Sequence, residues 1–413
     1  MDLIVYAVPF FILAMVLELF WGLWVGHNTY RVNDAVSSLF LGTLSQARKF
    51  ITLGVGGYIY HLTAEHFSLS LMSSKSIWTW VLATVLYDFC YYWLHRLGHE
   101  RTILWAAHVA HHQSEDYNLS TALRQTSTGF LLGWVFYVPM FALGVPAEVL
   151  VTVASINLIY QFWVHTEHVG KLGWYEWIFV TPSNHRVHHA QNDHYLDRNY
   201  GGLFILWDRV FGTFQEELAS EPPIYGIRGP LRSFNPLRAL THIYADMFRD
   251  SWNAPRWRDK LLVWIARTGW RPAELAVTDP RPKADLNDFV RFDPPTSLAV
   301  RVYALFQLVA VVALLGYLQA GVLDSYAASV WFVVAMLLTT VTTASWIEGR
   351  APWISLRWDL LRLGAFALGL VMTPGLGIFT GVAAAYLTVN VLFVLLLYWS
   401  PNAAAAAESM NTA

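Results

Sequence analysis

The sequence predicts an all-α, polytopic integral membrane protein of about nine transmembrane helices. Three observations carry that expectation. Of 413 residues, 55% are hydrophobic and only 14% charged, against about 25% charged in soluble domains. The apolar residues gather into runs near the ~20 residues that a helix needs to cross a bilayer. The histidines crowd at the ends of those runs, five of them at His95, His99, His108, His111 and His112.

Residues 3–26 form the first run. It is longer than a signal-peptide core and no Lys or Arg precedes it, so it reads as a retained span. Residues 34–60 are the second, interrupted by Arg48 and Lys49, which mark an interfacial break or a broken helix. Residues 77–94 are the third and end at His95. Residues 127–143 and 147–164 flank Gly144, Val145 and Pro146 and suit a helical hairpin. From His165 to about Thr296 the character changes, with EPPIYGIRGP and APRWRDK too rich in charge and proline for a membrane. Spans resume at 298–321, 326–346, 358–374 and 377–400, and the tail NAAAAAESMNTA is expected to fray.

This divides the chain into N-terminal spans (1–76), a histidine-bearing core (77–217), a cytosolic or interfacial linker (218–296) and a C-terminal transmembrane bundle with its tail (297–413). Arg96, Arg101 and Arg124 follow the third run, many Lys and Arg follow His165, and Arg350 and Arg357 lie between 346 and 358. The connections at 144–146, 322–325 and 375–376 hold no Lys or Arg. By the positive-inside rule the histidine motifs then face the cytosol, with the N-terminus outside and the C-terminus inside.

Composition also excludes. A net charge of −2 without a basic stripe argues against a nucleic-acid partner. The single cysteine, Cys90, permits no internal disulfide and no thiolate or iron–sulfur site within one chain. Nothing in the sequence specifies an oligomeric state.

His95 and His99 are four apart and share a helix face. His108 with His111 and His112 repeats the pattern, as do His185, His188 and His189 in NHRVHHA. A lone histidine on an apolar face is ordinarily a hydrogen-bonded core residue, and His27, His61, His66, His194 and His242 read that way. Eight histidines in three motifs, with His165 as a ninth, are too many for one ion and indicate two. Imidazole donors leave zinc, copper, iron and nickel open. A cluster of imidazoles at the membrane boundary suits a redox pair that activates dioxygen, which favours iron. A metal transporter would place its ligands near the bilayer midplane, whereas these follow the spans. Ligation requires neutral imidazole, so metal loss is expected below about pH 6.5.

HRLGH, HVAHH and HRVHH together resemble the fatty acid hydroxylase / sterol desaturase superfamily of membrane di-iron oxygenases. The blocks SEDYNLSTALRQ and DRNYGG, within residues 87–217, are most similar to its tetrahydrobiopterin-dependent alkylglycerol monooxygenase branch. The resemblance implies two Fe ions held by His95, His99, His108, His111, His112, His185, His188 and His189, with His165 at a further ligand position; His168 departs from the family spacing. It implies O2 and a membrane lipid as substrates, and hydroxylation at the ether-linked carbon to give a fatty aldehyde and a glycerol derivative. Tetrahydrobiopterin or a related tetrahydropterin is the implied electron donor. The alternative is a sterol or fatty-acyl hydroxylase or desaturase drawing on a ferredoxin or cytochrome. Glu100 matches an acidic position of the branch, where it either orients a ligand or is a solvated helix-end charge. Asp88, an acid inside an apolar run, is expected to hydrogen-bond a ligand histidine. Asn118, Arg124, Gln125, Asp197, Asn199, Tyr200 and Asp208 are candidates to line a pterin or headgroup site, or else structural residues.

Overall fold

The computed structural model describes residues 3–50, 54–125, 128–321, 326–372 and 378–398. The expected connections at 322–325 and 375–376 and the tail at 402–413 lie outside them. Among the described residues the chain is helical, with isolated bridges and no strand. Its helices are α1 (Ile4–Val25), α2 (Val32–Ala47), α3 (Val55–His66), α4 (Ile77–Glu100), α5 (Thr102–His112), α6 (Leu119–Ala122), α7 (Gly129–Leu132), α8 (Trp134–Leu143) and α9 (Ala147–Trp163). There follow α10 (Pro182–His189), α11 (Leu206–Val210), α12 (Pro236–Asn253), α13 (Trp257–Ile265), α14 (Ala273–Thr278), α15 (Leu298–Gln319), α16 (Tyr326–Ile347), α17 (Pro352–Met372) and α18 (Ile378–Tyr398).

The chain is an integral membrane protein. Among the described residues four segments are long and apolar enough to cross a bilayer: Tyr6–Val25, Leu298–Gln319, Tyr326–Ile347 and Gly381–Tyr398. The second expected run is broken: α2 stops at Ala47, and Arg48–Phe50 form a 3-10 turn before α3 begins at Val55. The fourth is broken as well, into α7 and α8 on either side of Gly133, each too short to cross alone. The described part of the run expected at 358–374, as far as Met372, belongs to a helix that starts at Pro352 and so takes in Arg357.

The chain folds as two compact units. One comprises Arg31–Thr52, Arg232–Ala239 and Val290–Ala413. Residues 31–52 thus group with the C-terminal helices, unlike the linear division at residue 76. The cause is packing: α2 lays Val36, Phe40 and Leu44 against Val311 and Met336 of α15 and α16. Inside this unit Arg362 and Asp359, both fully buried, bond each other at 2.7 Å, and Gln307, Tyr386 and Asn390 accept from the same two terminal nitrogens of the guanidinium, while among the described residues its Nε is buried without a partner. A charge this deep is tolerated only when so paired.

The other unit comprises Met1–Tyr30, Leu53–Leu231 and Leu240–Phe289, and holds every motif histidine. Its frame is α4, 24 residues without a break, about 36 Å long. Ala83 and Cys90 of α4 pack against Met140 and Phe141 of α8 and Val149 and Val153 of α9. The α8–α9 turn is the expected one. Gly144 takes φ 80°, and a Cβ there would fall 2.9 Å from the Ser70 Cα, so only glycine fits. At Arg101 the backbone turns extended and α5 folds back along α4. These two helices, the end of α9 and the short α10 deliver the histidines.

Candidate metal centre

The nine histidines meet in one place but do not sort by motif. His95 and His99 of α4, His108 and His112 of α5 and His188 of α10 form one group; His111, His165, His185 and His189 form the other. Within each group the donor atoms lie within 4.8 Å of one another. Helix geometry explains the division. At 100° per residue, His112 lies about 40° round from His108, while His111 lies about 60° to the other side. The i,i+4 pairs 108/112 and 185/189 therefore stay together, and His111 and His188 cross into opposite groups. The groups touch: the His112 and His189 rings stack at 4.3 Å.

Ring orientation is set by the backbone. Nδ1 of His95 donates to the Tyr200 carbonyl at 2.8 Å, His111 to Arg124 at 2.8 Å, His165 to Gln161 at 2.7 Å and His188 to Arg198 at 2.9 Å. A carbonyl only accepts, so in the neutral ring Nδ1 carries the proton and Nε2 the lone pair. Those lone pairs converge. His165 Nε2 lies 3.4 Å from His111 Nε2, 3.2 Å from His189 Nε2 and 3.1 Å from His185 Nε2. In the first group His108 Nε2 is 3.1 Å from Nε2 of both His95 and His112. Two acceptors facing each other repel unless a cation lies between them. Nitrogens ~2.1 Å from one ion stand about 3.0 Å apart at right angles and about 3.4 Å apart in a tetrahedron, which is the spacing seen. Among the described residues, Nε2 of His99 and of His188 are buried without a hydrogen-bond partner. The donor set fits two metal ions.

Eight of the nine rings are 1–9% exposed, His108 somewhat more. Burial holds them neutral. His111 is pushed down to about 4 by desolvation, against the opposing bond to the Arg124 carbonyl, and His185, His188 and His189 lie well below the ordinary value. An unfolded chain takes up these protons first, near pH 6.5, so folding stability is intact above pH 7 and falls as the pH drops toward 4. The metal-free protein should therefore show a thermal midpoint several degrees lower at pH 5 than at pH 7.5; equal midpoints would mean that the rings are solvated. With metal bound, the acid edge for release is expected below 6.5.

A second layer holds these histidines. Arg186, within HRVHH, is 7% exposed. Its Nε and one terminal nitrogen clamp Glu217, both at 2.7 Å, and the other donates to the carbonyls of Thr166 (2.9 Å) and Val169 (2.8 Å). It thus ties the segment after His165 to α10. Asp88 does not hold a histidine, contrary to expectation. Its oxygens accept from Asn157 Nδ2 (2.7 Å), Leu203 N (2.7 Å), Phe204 N (3.0 Å) and Trp207 Nε1 (3.0 Å). Asp208 accepts from the Tyr200 and Gly201 amides, both at 2.8 Å. The two acids shape the loop whose Tyr200 carbonyl orients His95.

Glu100 accepts from Arg96 Nε at 2.9 Å, and Arg96 also reaches the Tyr92 hydroxyl at 3.1 Å. Asn118 caps α6, Gln125 bonds the Ala122 carbonyl, Arg124 bonds the Ala110 carbonyl and Asn199 spans Asn184 and Gln215. These candidates for a ligand site are engaged in shaping backbone. Asp197 is exposed, in a left-handed conformation. Tyr200 lies against His99 with ring centroids 5.4 Å apart. His168 joins neither group; its ring stands 5.6 Å from that of His27. Carbonyl partners carry no sequence mark and were not foreseeable; Arg186 could have been suspected as a cation inside a buried motif.

The fatty acid hydroxylase family profile matches residues 80–213, the stretch that holds all nine histidines. The chain is 35% identical to an alkylglycerol monooxygenase of Homo sapiens over 357 residues, covering 85% of this chain and 79% of that protein. It is 38% identical to an alkylglycerol monooxygenase of Danio rerio over 307 residues, 73% of this chain and 67% of that one. Similarity to an ornithine lipid hydroxylase of Rhizobium tropici is 29% over 153 residues, 36% of this chain and 45% of the relative. No solved structure matches the chain.

Proposed function

The chain belongs to the alkylglycerol monooxygenase family, and from that membership we propose that it oxidises the ether-linked carbon of an alkylglycerol, using two iron ions and a tetrahydropterin. It is a lipid-hydroxylating monooxygenase, an oxidoreductase. In the net reaction one atom of O2 enters the C–H bond beside the ether oxygen. The other leaves as water with two electrons from the pterin and two protons. The resulting hemiacetal collapses to a fatty aldehyde and a glycerol. His95, His99, His108, His112 and His188 would hold one ion, and His111, His165, His185 and His189 the other; bound iron supplies the activation of dioxygen.

The observation that carries this reading is the convergence of buried, unprotonated Nε2 atoms at metal–ligand spacing. The protein's own work is positional. Four backbone carbonyls fix ring tautomer and tilt, which raises ligand basicity and pre-sets the geometry. Burial keeps water from the reacting carbon. Asp88 and Asp208 set the loop that supplies one carbonyl, and we assign them and Glu100 to positioning roles. The distribution of Lys and Arg supports a site facing the cytosol in a nine-crossing chain, so the polar end of a lipid reaches it from the inner leaflet.

Purified protein loaded with iron(II) and given an alkylglycerol and tetrahydropterin in air should release fatty aldehyde. Aldehyde no higher than in a pterin-free control rejects the reading. Turnover restored only by a reduced ferredoxin or cytochrome would shift it to the sterol or fatty-acyl alternative.

A further inference from the structure

The first helix crosses the bilayer with one charged residue, Glu18. An acid inside a span is costly and ordinarily has a task, and none of the site described so far uses it. Glu18 is 7% exposed. Its Oε2 accepts from the Tyr30 hydroxyl and from the Leu119 amide at 2.8 Å. Among the described residues its Oε1 is buried and has no partner. Two further polar atoms in this part of the unit share that condition, Thr29 Oγ1 and His168 Nε2. Gly22, one turn along α1 from Glu18, makes room for the imidazole: a Cβ there would fall 3.3 Å from His168 Nε2 and 2.8 Å from the His27 carbonyl oxygen. Thr166, whose side chain also hydrogen-bonds the Glu18 carboxyl, directly follows His165 of the metal centre. Glu18 and Thr29 both reach the start of α6, through the Leu119 amide and through Asn118 Nδ2 on the Thr29 carbonyl at 2.7 Å, and His168 lies on the segment that leaves His165. A buried polar atom that nothing bonds destabilises the fold.

We propose that Glu18, Thr29 and His168 form the subsite for the polar head of the lipid, with the Glu18 carboxylate accepting from one of its vicinal hydroxyls and Thr29 and His168 exchanging hydrogen bonds with the pair. This rests on the alkylglycerol assignment. The available atoms favour a hydroxyl over the paired N–H edge of a pterin. A bidentate partner needs both carboxylate oxygens, and Oε2 is already committed to Tyr30 and Leu119. The subsite would seat the glycerol so that the ether carbon next to it lies at the metals.

The test is equilibrium competition binding to the full-length, iron-loaded protein in nanodiscs. The probes are 1-O-hexadecylglycerol and the same lipid with both hydroxyls methylated. The wild-type protein should prefer the diol by about tenfold or more, near 1.4 kcal/mol. In Glu18→Gln the amide oxygen must take the Oε2 position to satisfy Leu119 and Tyr30, which leaves an NH2 where an acceptor is needed. Glu18→Gln and His168→Ala should each erase the preference, with metal content and affinity for the methylated lipid unchanged. A preference that survives both variants overturns the subsite. So does a loss of bound iron that parallels the loss of binding, which marks a structural strut, or a change confined to the KM for tetrahydropterin. Wild-type protein that prefers the diol yet releases no aldehyde would overturn the oxidation chemistry and leave the subsite standing.

Discussion

His188→Ala and His189→Ala, neighbours on one helix, are each expected to abolish lipid turnover while removing different ions. His188 belongs to the five-histidine group and His189 to the four-histidine group. Each variant should retain about one iron where the wild type is expected to bind two. Outer partners of metal ligands alone are worth 10- to 100-fold, so loss of a ligand should exceed about 100-fold in kcat. The double variant should be no slower than the worse single one, because the two ions act as a unit. His168→Ala, outside both groups, should keep full metal content. Turnover within tenfold of wild type in either single variant, or unaltered iron in both, would refute the two-group assignment.

Arg186→Met is expected to cost about 3–5 kcal/mol of stability, the price of leaving a buried partner charge unpaired. The loss is large because one guanidinium makes four bonds, two to Glu217 and two to the carbonyls that follow His165. Lysine should fail nearly as badly, since an ammonium cannot reproduce the planar fork. Pairing Arg186→Met with Glu217→Leu should recover part of the stability by removing the stranded carboxylate. Iron content should fall in Arg186→Met as the 165–169 segment loosens. The checks are unfolding midpoints in detergent and metal analysis; an unchanged midpoint in the single variant, or no recovery in the double, would sink this account.

The histidine motifs were legible because helical periodicity is local: residues four apart must share a face wherever the helix is placed. His165 was legible less directly, since one histidine after an apolar run has no pattern of its own: the hairpin before it returns the chain to the side of the other histidines, and the family resemblance adds a ligand position there. The turn at Gly144–Pro146 was legible too, since it depends on a positive φ and a proline at fixed offsets. The second run was harder to read. Its hydrophobicity continued past Arg48, but two basic residues ended the helix, and α2 found its partners among helices more than two hundred residues away. Asp88 was misread for a related reason: an acid near histidines in sequence was free to bond amides near it in space.

By itself, then, the sequence determined that this protein is a helical membrane enzyme and which side chains offer imidazole nitrogen. Composition, periodicity and side-chain chemistry are properties of the chain before it folds. Only the tertiary structure decided how nine rings divide into five and four, since that depends on which helices face one another across the site. It alone decided which carbonyls hold the rings and which acids hold the carbonyls. Backbone groups are the same at every position, and only their arrangement in space makes them partners.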